Sequence, residues 1–513
     1  MKLISGTAMR LVDKRAIEEM GIPEAVLVEG AGRELGDYAI DCLVSTRGKI
    51  VILVGKGNNG ADGLAAARYI LRRYYPVTIV LAEPATSFGP GAALQLRIDK
   101  NYPMKILQWP DQEAEVLREC EESVMFIDAL LGTRFHGSVR EPIRSLITKL
   151  SGMDKKVVAA DIPSGVEADT GRVDIALKAE MTVTMIAPKP GLYLYPGAQY
   201  AGKVIVGNLQ TPPSLVEDAP SKEFLLDPFL IRDWLPRRPK NSHKGMNGKI
   251  AVVAGSLGYA GAAEMCSKAV VRAGGGLVSL YTQKEVLEPL IIKSREVMVR
   301  PLDLTAPDKV LDILNTYEVL AVGPGMGKSP VAGECLQKVL PQFEGPIVLD
   351  ADGLNLLAGQ DDLLRSLKQK IFTPHPGEMA RLLGCSVGDV LKNPVEKALE
   401  GAEWWQAVVV LKCAPTIIAL PDGTVYLNST GNEGMATGGC GDVLTGTIAG
   451  LLGQGLPLDK AACCGVYVHG KAGDLAAEKG KIGMQAGDLL VRLPEAIDDA
   501  LHYRLMLDDD TFA

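Results

Sequence analysis

The stretch 49-KIVILVGKGNNGADGLAAARYILRRYYPVTIVLAE-83 decides the fold. Its opening residues, Lys49 to Val54, are almost all apolar and mostly β-branched, the composition of a buried strand. A glycine-rich turn follows, then an alanine- and leucine-rich helical pattern, then a second β-branched run at 77–82. A strand, a crossover helix and a second strand at this spacing place both strands parallel in one sheet. Further short runs at 124–128, 157–161 and 181–186 extend the series, and the pattern predicts a sheet covered by helices on both faces.

A second series follows at 249–255, 278–282, 319–325, 346–353, 370–375 and 407–412. Between the two lies "LQTPPSLVEDAPSKEFLLDPFLIRDWLPRRPKNSH" (209–243), rich in proline and charge. The expected organisation is a domain over 1–212, a linker and lead-in over 213–240, and a domain over 241–503. The fold class is α/β, with two doubly wound domains, the first a three-layer sandwich of the dinucleotide-binding type. No period repeats within either half, which excludes a solenoid.

A chain of 513 residues exceeds one ordinary core, in agreement with two domains. Its 47% hydrophobic and 23% charged residues are those of a globular protein. A net charge of −8 offers nothing to nucleic acid or to an anionic membrane. No apolar run approaches the ~18 residues of a membrane span. The start, "MKLISGTAMRLVDKRAIEEMG", lacks the uninterrupted apolar core of a signal peptide. Nine cysteines without C-x-x-C spacing suggest reduced thiols, hence a cytoplasmic location, and Cys463 and Cys464 read as small core residues. Small-molecule partners are expected, and apolar helix faces suggest a homo-oligomer.

In the second half, 431-GNEGMATGGCGDVLTGTIAGLLGQG-455 is a glycine-rich loop running into a helix. Converging amides and the positive helix end make an anion site. Asp442 beside a phosphate is electrostatically awkward unless it serves the neutral reactant, as a general base for a hydroxyl attacking a phosphoryl group. The competing role is a helix N-cap. Three other strand ends, "AGSLGYAGAA" (254–263), "GPGMG" (323–327) and "TPHPGEM" (373–379), join "LKCAPT" (411–416) at one sheet edge, where such sheets bind ligands.

This set, in this order, resembles the ADP-dependent NAD(P)H-hydrate dehydratases, from about Lys244 to Pro494. The resemblance implies a ribokinase-like fold and removal of water from hydrated NADH or NADPH, with ADP as phosphoryl donor and Mg²⁺ as helper. It implies that Ala260, Gly325, His375 and Asp442 touch the hydrated dinucleotide. Lys412, Cys413, Ala414, Pro415 and Thr416, with Gly441, would hold the adenine nucleotide, and the amides of Gly438, Gly439, Cys440 and Gly441 would stabilise the phosphoryl group. Cys440 and Glu433 depart from the usual residues of that family; a cradle built from backbone tolerates both.

In the first half, Gly55 to Gly60 spell a G-x-G-x-x-G, and Glu83 ends the next strand, as in a dinucleotide oxidoreductase. Yet Asn58, Asn59 and Asp62 crowd side-chain oxygens into that turn, a set better suited to a hard cation. Asp128 and Asp161 end neighbouring strands on the same edge, where capping a turn is the simpler role for either alone. The combination, from the "VLVEGAG" helix (26–32) to about Gly207, resembles the NAD(P)H-hydrate epimerases. That resemblance implies a K⁺ site from Asn59, Asp128 and Ser164. It implies substrate contacts from Asn58, Asn59, Gly60, Ala61 and Asp62, from Gly132, Thr133, Arg134, Phe135, His136, Gly137 and Ser138, and from Asp161. Ala61 stands where glycine is usual. Asp161 is the candidate acid/base. Two other readings compete: a vitamin-precursor kinase fused to a dinucleotide-binding domain, and an N-terminal half that has lost catalysis and only binds.

Overall fold

The computed structural model describes residues 1–44 and 46–504. It divides into two units, Lys2–Glu223 and the chain from Phe224 on, with Met1 counted in the second.

The first unit is one sheet of seven strands: β1 Lys49–Val54, β2 Val77–Leu81, β3 Lys105–Gln108, β4 Ser123–Ala129, β5 Lys156–Ala160, β6 Met181–Met185 and β7 Lys203–Gly207. Their order is β3-β2-β1-β4-β5-β6-β7, and every pairing is parallel. Alternate side chains of β1 feed two cores. Ile50, Ile52 and Val54 pack with helices Glu24–Leu43 and Asn58–Arg72, while Val51 and Leu53 pack with Val116, Leu146 and Ile147 on the opposite face. The strand order reverses between β1 and β4, and that switch point is where ligands enter such sheets. Strands β3 and β7 escaped the sequence pattern because both lie at edges, where most side chains are only partly covered and no apolar run is needed.

The lower edge of this sheet is held by Glu119, on the helix Glu113–Glu122. It pairs with Lys49 at 2.6 Å and Lys105 at 2.8 Å and accepts from Thr78 Oγ1 at 3.0 Å. Burial alone would raise its pKa, but the bonds from Lys105, Lys49 and Thr78 hold it down at about 2. A carboxylate depressed in the folded state stabilises above its unfolded value and loses that contribution as pH falls. The Glu119→Gln variant should therefore be less stable than wild type by about 2 kcal/mol at neutral pH. The gap should close between pH 4.5 and about 2, as read from urea midpoints.

The second unit is one sheet of ten strands, β8 Glu223–Leu225, β9 Lys249–Val253, β10 Leu277–Thr282, β11 Met298–Pro301, β12 Val319–Val322, β13 Pro346–Leu349, β14 Gln369–Phe372, β15 Val408–Leu411, β16 Thr416–Ala419 and β17 Val425–Asn428. The order is β11-β10-β9-β12-β13-β14-β15-β16-β17-β8. Pairing is parallel from β11 to β15 and antiparallel from β15 to β17. The stretch 213–240, expected to be linker and lead-in, is partly core. It supplies β8 and the helix Pro228–Trp234, with Ile231 and Leu235 buried in this unit. Its prolines and charges disguise three apolar anchors, Leu226, Ile231 and Leu235.

The helix Cys440–Gly453 is buried along nearly its whole length against the helix Ala260–Arg272. A side chain at Gly446 would run into the Cys266 carbonyl. This glycine therefore serves close helix packing, not phosphate binding. Cys463 and Cys464 are fully buried core residues, as their apolar surroundings implied. Among the described residues, no helix is long and apolar enough to cross a membrane.

Candidate functional site

In the second unit the strand ends β9, β12, β14 and β15 carry the loops singled out in the sequence, and the structure brings most of them together. Gly439 precedes the helix Cys440–Gly453 with φ 97°, a left-handed conformation that favours glycine. The helix has no side-chain cap. Asp442 sits inside the first turn instead of at the N-cap position, so the capping role falls. Among the described residues, the amides of Gly438, Gly439, Cys440 and Gly441 donate to no side chain or loop carbonyl. They remain open at a helix N-terminus, as an anion site requires.

Lys412, just beyond β15, places its Nζ against Gly441 and 2.5 Å from Asp350 Oδ1. Asp350 is buried and also accepts from Thr445 Oγ1 at 2.7 Å. The Lys412 amide donates to Pro374 O at 2.8 Å, tying this strand end to the His375 loop. His375 caps the helix Pro376–Leu383, with Nδ1 accepting from the Gly377 amide at 3.0 Å, while the Glu378 carboxylate accepts from the His375 amide at 2.9 Å. Gly325 packs against Tyr259 and Ala262, which flank Ala260, and its carbonyl accepts from Ser256 Oγ at 2.9 Å. Cys413, Ala414 and Pro415 form the turn between β15 and β16, and Thr416 opens β16. Among the described residues, no hydrogen bond links them to the Gly438–Gly441 turn. Cys440 is buried in a small apolar cluster with Val443, Met484 and Leu489.

The electrostatics single out Asp442. Burial, then repulsion from Asp350, opposed by Lys412 and reinforced by Asp352 and Glu378, pushes its carboxyl up to about 7. A base poised near neutrality, beside open amides and an ammonium, is what proton removal during phosphoryl transfer needs. His469, whose Nε2 lies 2.9 Å from Cys440 O, is pushed down to about 4 by burial and stays neutral. Asp350, Asp352 and Glu378 were missed in the sequence. "VLDADG" carried the same signal, a carboxylate ending an apolar strand, that marked Asp128 and Asp161.

In the first unit Asn59, Asp128 and Ser164 do meet. Asp128 is buried and accepts from Ser164 N at 2.8 Å and Ser164 Oγ at 2.5 Å. Asn59 Nδ2 donates to Leu131 O at 2.8 Å, and the Leu131 amide donates to Ser164 Oγ at 2.8 Å. Asn59 Oδ1 is buried without a hydrogen-bond partner. Asp128 is raised by burial, its Ser164 and Leu130 bonds countering, and among the described residues no cation offsets it. Asn58 donates to Glu24 Oε1 at 2.8 Å. Ala61 turns its methyl fully into the core, so its departure from glycine does not reach the ligand side. Gly132 packs on Asn59, and Gly137 N donates to Glu167 Oε1 at 2.9 Å, while Arg134, His136 and Ser138 are exposed. Glu83 is engaged by Lys56 at 2.8 Å.

Asp161, at φ 63°, ends β5 in a left-handed conformation that a non-glycine residue adopts only under constraint. Its Oδ1 accepts from Lys189 Nζ, from the Met185 amide at 3.0 Å and from Thr184 Oγ1 at 3.2 Å. Lys189 is completely buried. Neither Lys189, a single lysine between prolines, nor Asp13, on an ordinary amphipathic helix, stood out in the sequence.

A switch-point site on a parallel sheet and a phosphate-gripping helix start on a second sheet define a two-unit α/β enzyme that handles nucleotides. Residues 250–495 match the family described as NAD(P)H-hydrate dehydratase, and residues 24–191 match that described as YjeF-related protein N-terminus. The bifunctional NAD(P)H-hydrate repair enzyme Nnr of Moorella thermoacetica is 39% identical, with 96% of each chain covered. That of Escherichia coli is 37% identical over 87% of this chain and 85% of its own. Among solved structures, the ADP/ATP-dependent NAD(P)H-hydrate dehydratase of Bacillus subtilis, co-crystallised with ATP and Mg²⁺, is 32% identical. It covers 54% of this chain and 98% of its own at a TM-score of 0.50. This chain belongs to the bifunctional NAD(P)H-hydrate repair enzymes.

Proposed function

We propose that the second unit dehydrates the S hydrate of NADH or NADPH at the expense of ADP, releasing the reduced cofactor, AMP and phosphate. The first unit exchanges the R and S hydrates, so that the whole pool becomes repairable. The observation that carries this reading is Asp442, raised to about 7, beside the Lys412 ammonium and the open amides of the Gly438–Gly441 turn. Asp442 takes the proton of the ring hydroxyl as its oxygen attacks the terminal phosphorus of ADP, and AMP departs. Hydroxide is a poor leaving group and phosphate a good one. The ring nitrogen then expels phosphate, and loss of a proton from the neighbouring carbon restores the dihydropyridine. Lys412 and the open amides offset charge on the transferring group. Ala260, Gly325 and His375 line the acceptor side, and the 412–416 turn takes the nucleotide.

Among the described residues no cluster of three ligands would cage a metal. Asp350, Asp352, Glu378 and Asp442 nevertheless outnumber Lys412 and Lys328, the latter 4.0 Å from Asp352. That surplus suits Mg²⁺ arriving with the nucleotide phosphates, where it would neutralise their charge. In the first unit, the unpartnered Asn59 Oδ1 and the uncompensated Asp128 suit K⁺, with Ser164 completing the oxygen set. Asp161 is assigned to work at the ring carbon. K⁺ should raise the thermal midpoint relative to choline at equal ionic strength, by about 2.7 kcal/mol of stability at a hundred times Kd. Asn59→Ala should abolish the difference.

The test of function is recovery of reduced-nicotinamide absorbance from hydrated cofactor, with ADP and with ATP. Release of free phosphate with that recovery supports the repair reading. A phosphorylated product that persists would mark a kinase instead. Cytoplasmic location and homo-oligomeric assembly complete the proposal, and sedimentation of the purified chain checks the latter.

A further inference from the structure

The N-terminal site holds more carboxyl groups than its cations neutralise. Asp13 on the helix Gly6–Glu18, Glu24 opening the helix Glu24–Leu43, Asp62 on the helix Asn58–Arg72 and Asp161 at the end of β5 share one neighbourhood with Lys189 and Arg134. Two of the four have hydrogen-bond partners. Glu24 accepts from Asn58, and Asp161 takes Lys189, Thr184 and the Met185 amide on a single oxygen, leaving Oδ2 without a donor. Asp62 is partly buried and accepts a hydrogen bond from no described residue. An unpartnered carboxyl next to an anchored one is the arrangement of a proton donor beside a fixed negative charge.

We infer that Asp62 and Asp161 act as a pair in the epimerase reaction, Asp62 delivering the proton to the departing ring hydroxyl and Asp161, anchored by Lys189, balancing the cation left behind. This deepens, and rests on, the epimerase reading above. The carbon–oxygen bond breaks with its electron pair on oxygen. The Asp62 proton converts that oxygen to water, and the ring nitrogen lone pair closes a carbon–nitrogen double bond. Water then adds to either face of the planar cation and returns its proton to Asp62, so nothing is consumed. The surroundings favour this division of labour. Burial, then Asp161 and Asp13, push Asp62 well above the usual carboxylate range, with Lys189 opposing and Glu24 reinforcing. Asp13 is itself raised to about 6, chiefly by burial, with Lys189 and Arg134 opposing. Lys189, wholly buried, is the positioning residue that fixes Asp161.

The experiment follows exchange of the two hydrate epimers by chromatography on the full chain, across a pH series. Wild type should lose rate as pH rises and Asp62 deprotonates. Asp62→Asn should fall by ~10²–10⁴-fold and show no such alkaline limb. Asp62→Glu should restore part of the rate with the limb displaced. Lys189→Met should lower the rate and move the limb upward, since a cation opposing Asp62 protonation is gone. A circular-dichroism spectrum and melting curve of each variant matching wild type show that the first unit is folded, since dehydratase turnover reports only on the second. Wild type that exchanges no epimers would overturn the epimerase reading itself. Wild type that exchanges them, with Asp62→Asn at wild-type rate or Asp62→Glu with the limb unmoved, would overturn the pair alone.

Discussion

Replacing Asp442 by Asn should cut dehydratase turnover by ~10²–10⁴-fold while leaving nucleotide affinity intact or slightly tighter. The base is lost, but the amides and Lys412 that grip phosphate are untouched, and one negative charge near the phosphates is gone. The wild-type rate should climb with pH through about 7, as Asp442 loses its proton, and the variant should show no such rise. A stability consequence follows from the same shift. A carboxyl raised in the folded state from 3.8 to about 7 costs stability progressively over that interval, since the folded form binds its proton more tightly than the unfolded one. The Asn variant should therefore be the more stable protein, with a margin that widens from pH 3.8 to about 7 and is constant above. Catalysis lost with stability gained distinguishes a strained catalytic group from a structural one. Wild-type turnover in a variant that still binds nucleotide would remove Asp442 from the mechanism.

Replacing Lys412 by Met should lower turnover by ~10²–10³-fold and weaken nucleotide binding as well. Lys412 is the ammonium against Gly441, and it also neutralises the buried Asp350 at 2.5 Å. Removing it leaves a buried carboxylate with only the Thr445 hydroxyl, a loss of about 3–5 kcal/mol. It also strips away the cation that restrains Asp442, so any residual activity should rise at a higher pH than in wild type. Combining Lys412→Met with Asp350→Asn removes the stranded charge and should recover stability without recovering turnover. Wild-type kcat/KM in the double variant, with its pH dependence unmoved, would show that Lys412 serves only the fold.

Legibility in the sequence followed burial. Strands β1, β2, β4, β5, β6, β9, β10, β12, β13, β14 and β15 announced themselves because central parallel strands are covered on both faces and must be apolar throughout. The edge strands β3, β7, β8 and β11 carry fewer buried side chains, and the four-residue β16 and β17 merge into a turn-rich passage. The site was half visible. Glycine turns at strand ends pointed to the phosphate grip and to the switch point, and carboxylates at strand ends marked Asp128 and Asp161. Asp13, Lys189 and Glu378 gave no comparable mark, because Asp13 and Glu378 lie on helices with ordinary local patterns and Lys189 is a single lysine between prolines.

What the amino-acid order alone determined was the pair of parallel α/β frameworks, the glycine turn before Cys440 and the family, since periodicity and turn chemistry are local properties. Tertiary structure alone decided which charges face one another. It took Asp442 out of the cap position and brought it under the charges of Asp350 and Lys412, left Asn59 Oδ1 buried without a partner, and drew Lys189 onto Asp161 across 28 residues of chain. Proton affinity depends on burial and on neighbouring charge, both set by contacts between distant segments, and such contacts exist only once the sheets have formed.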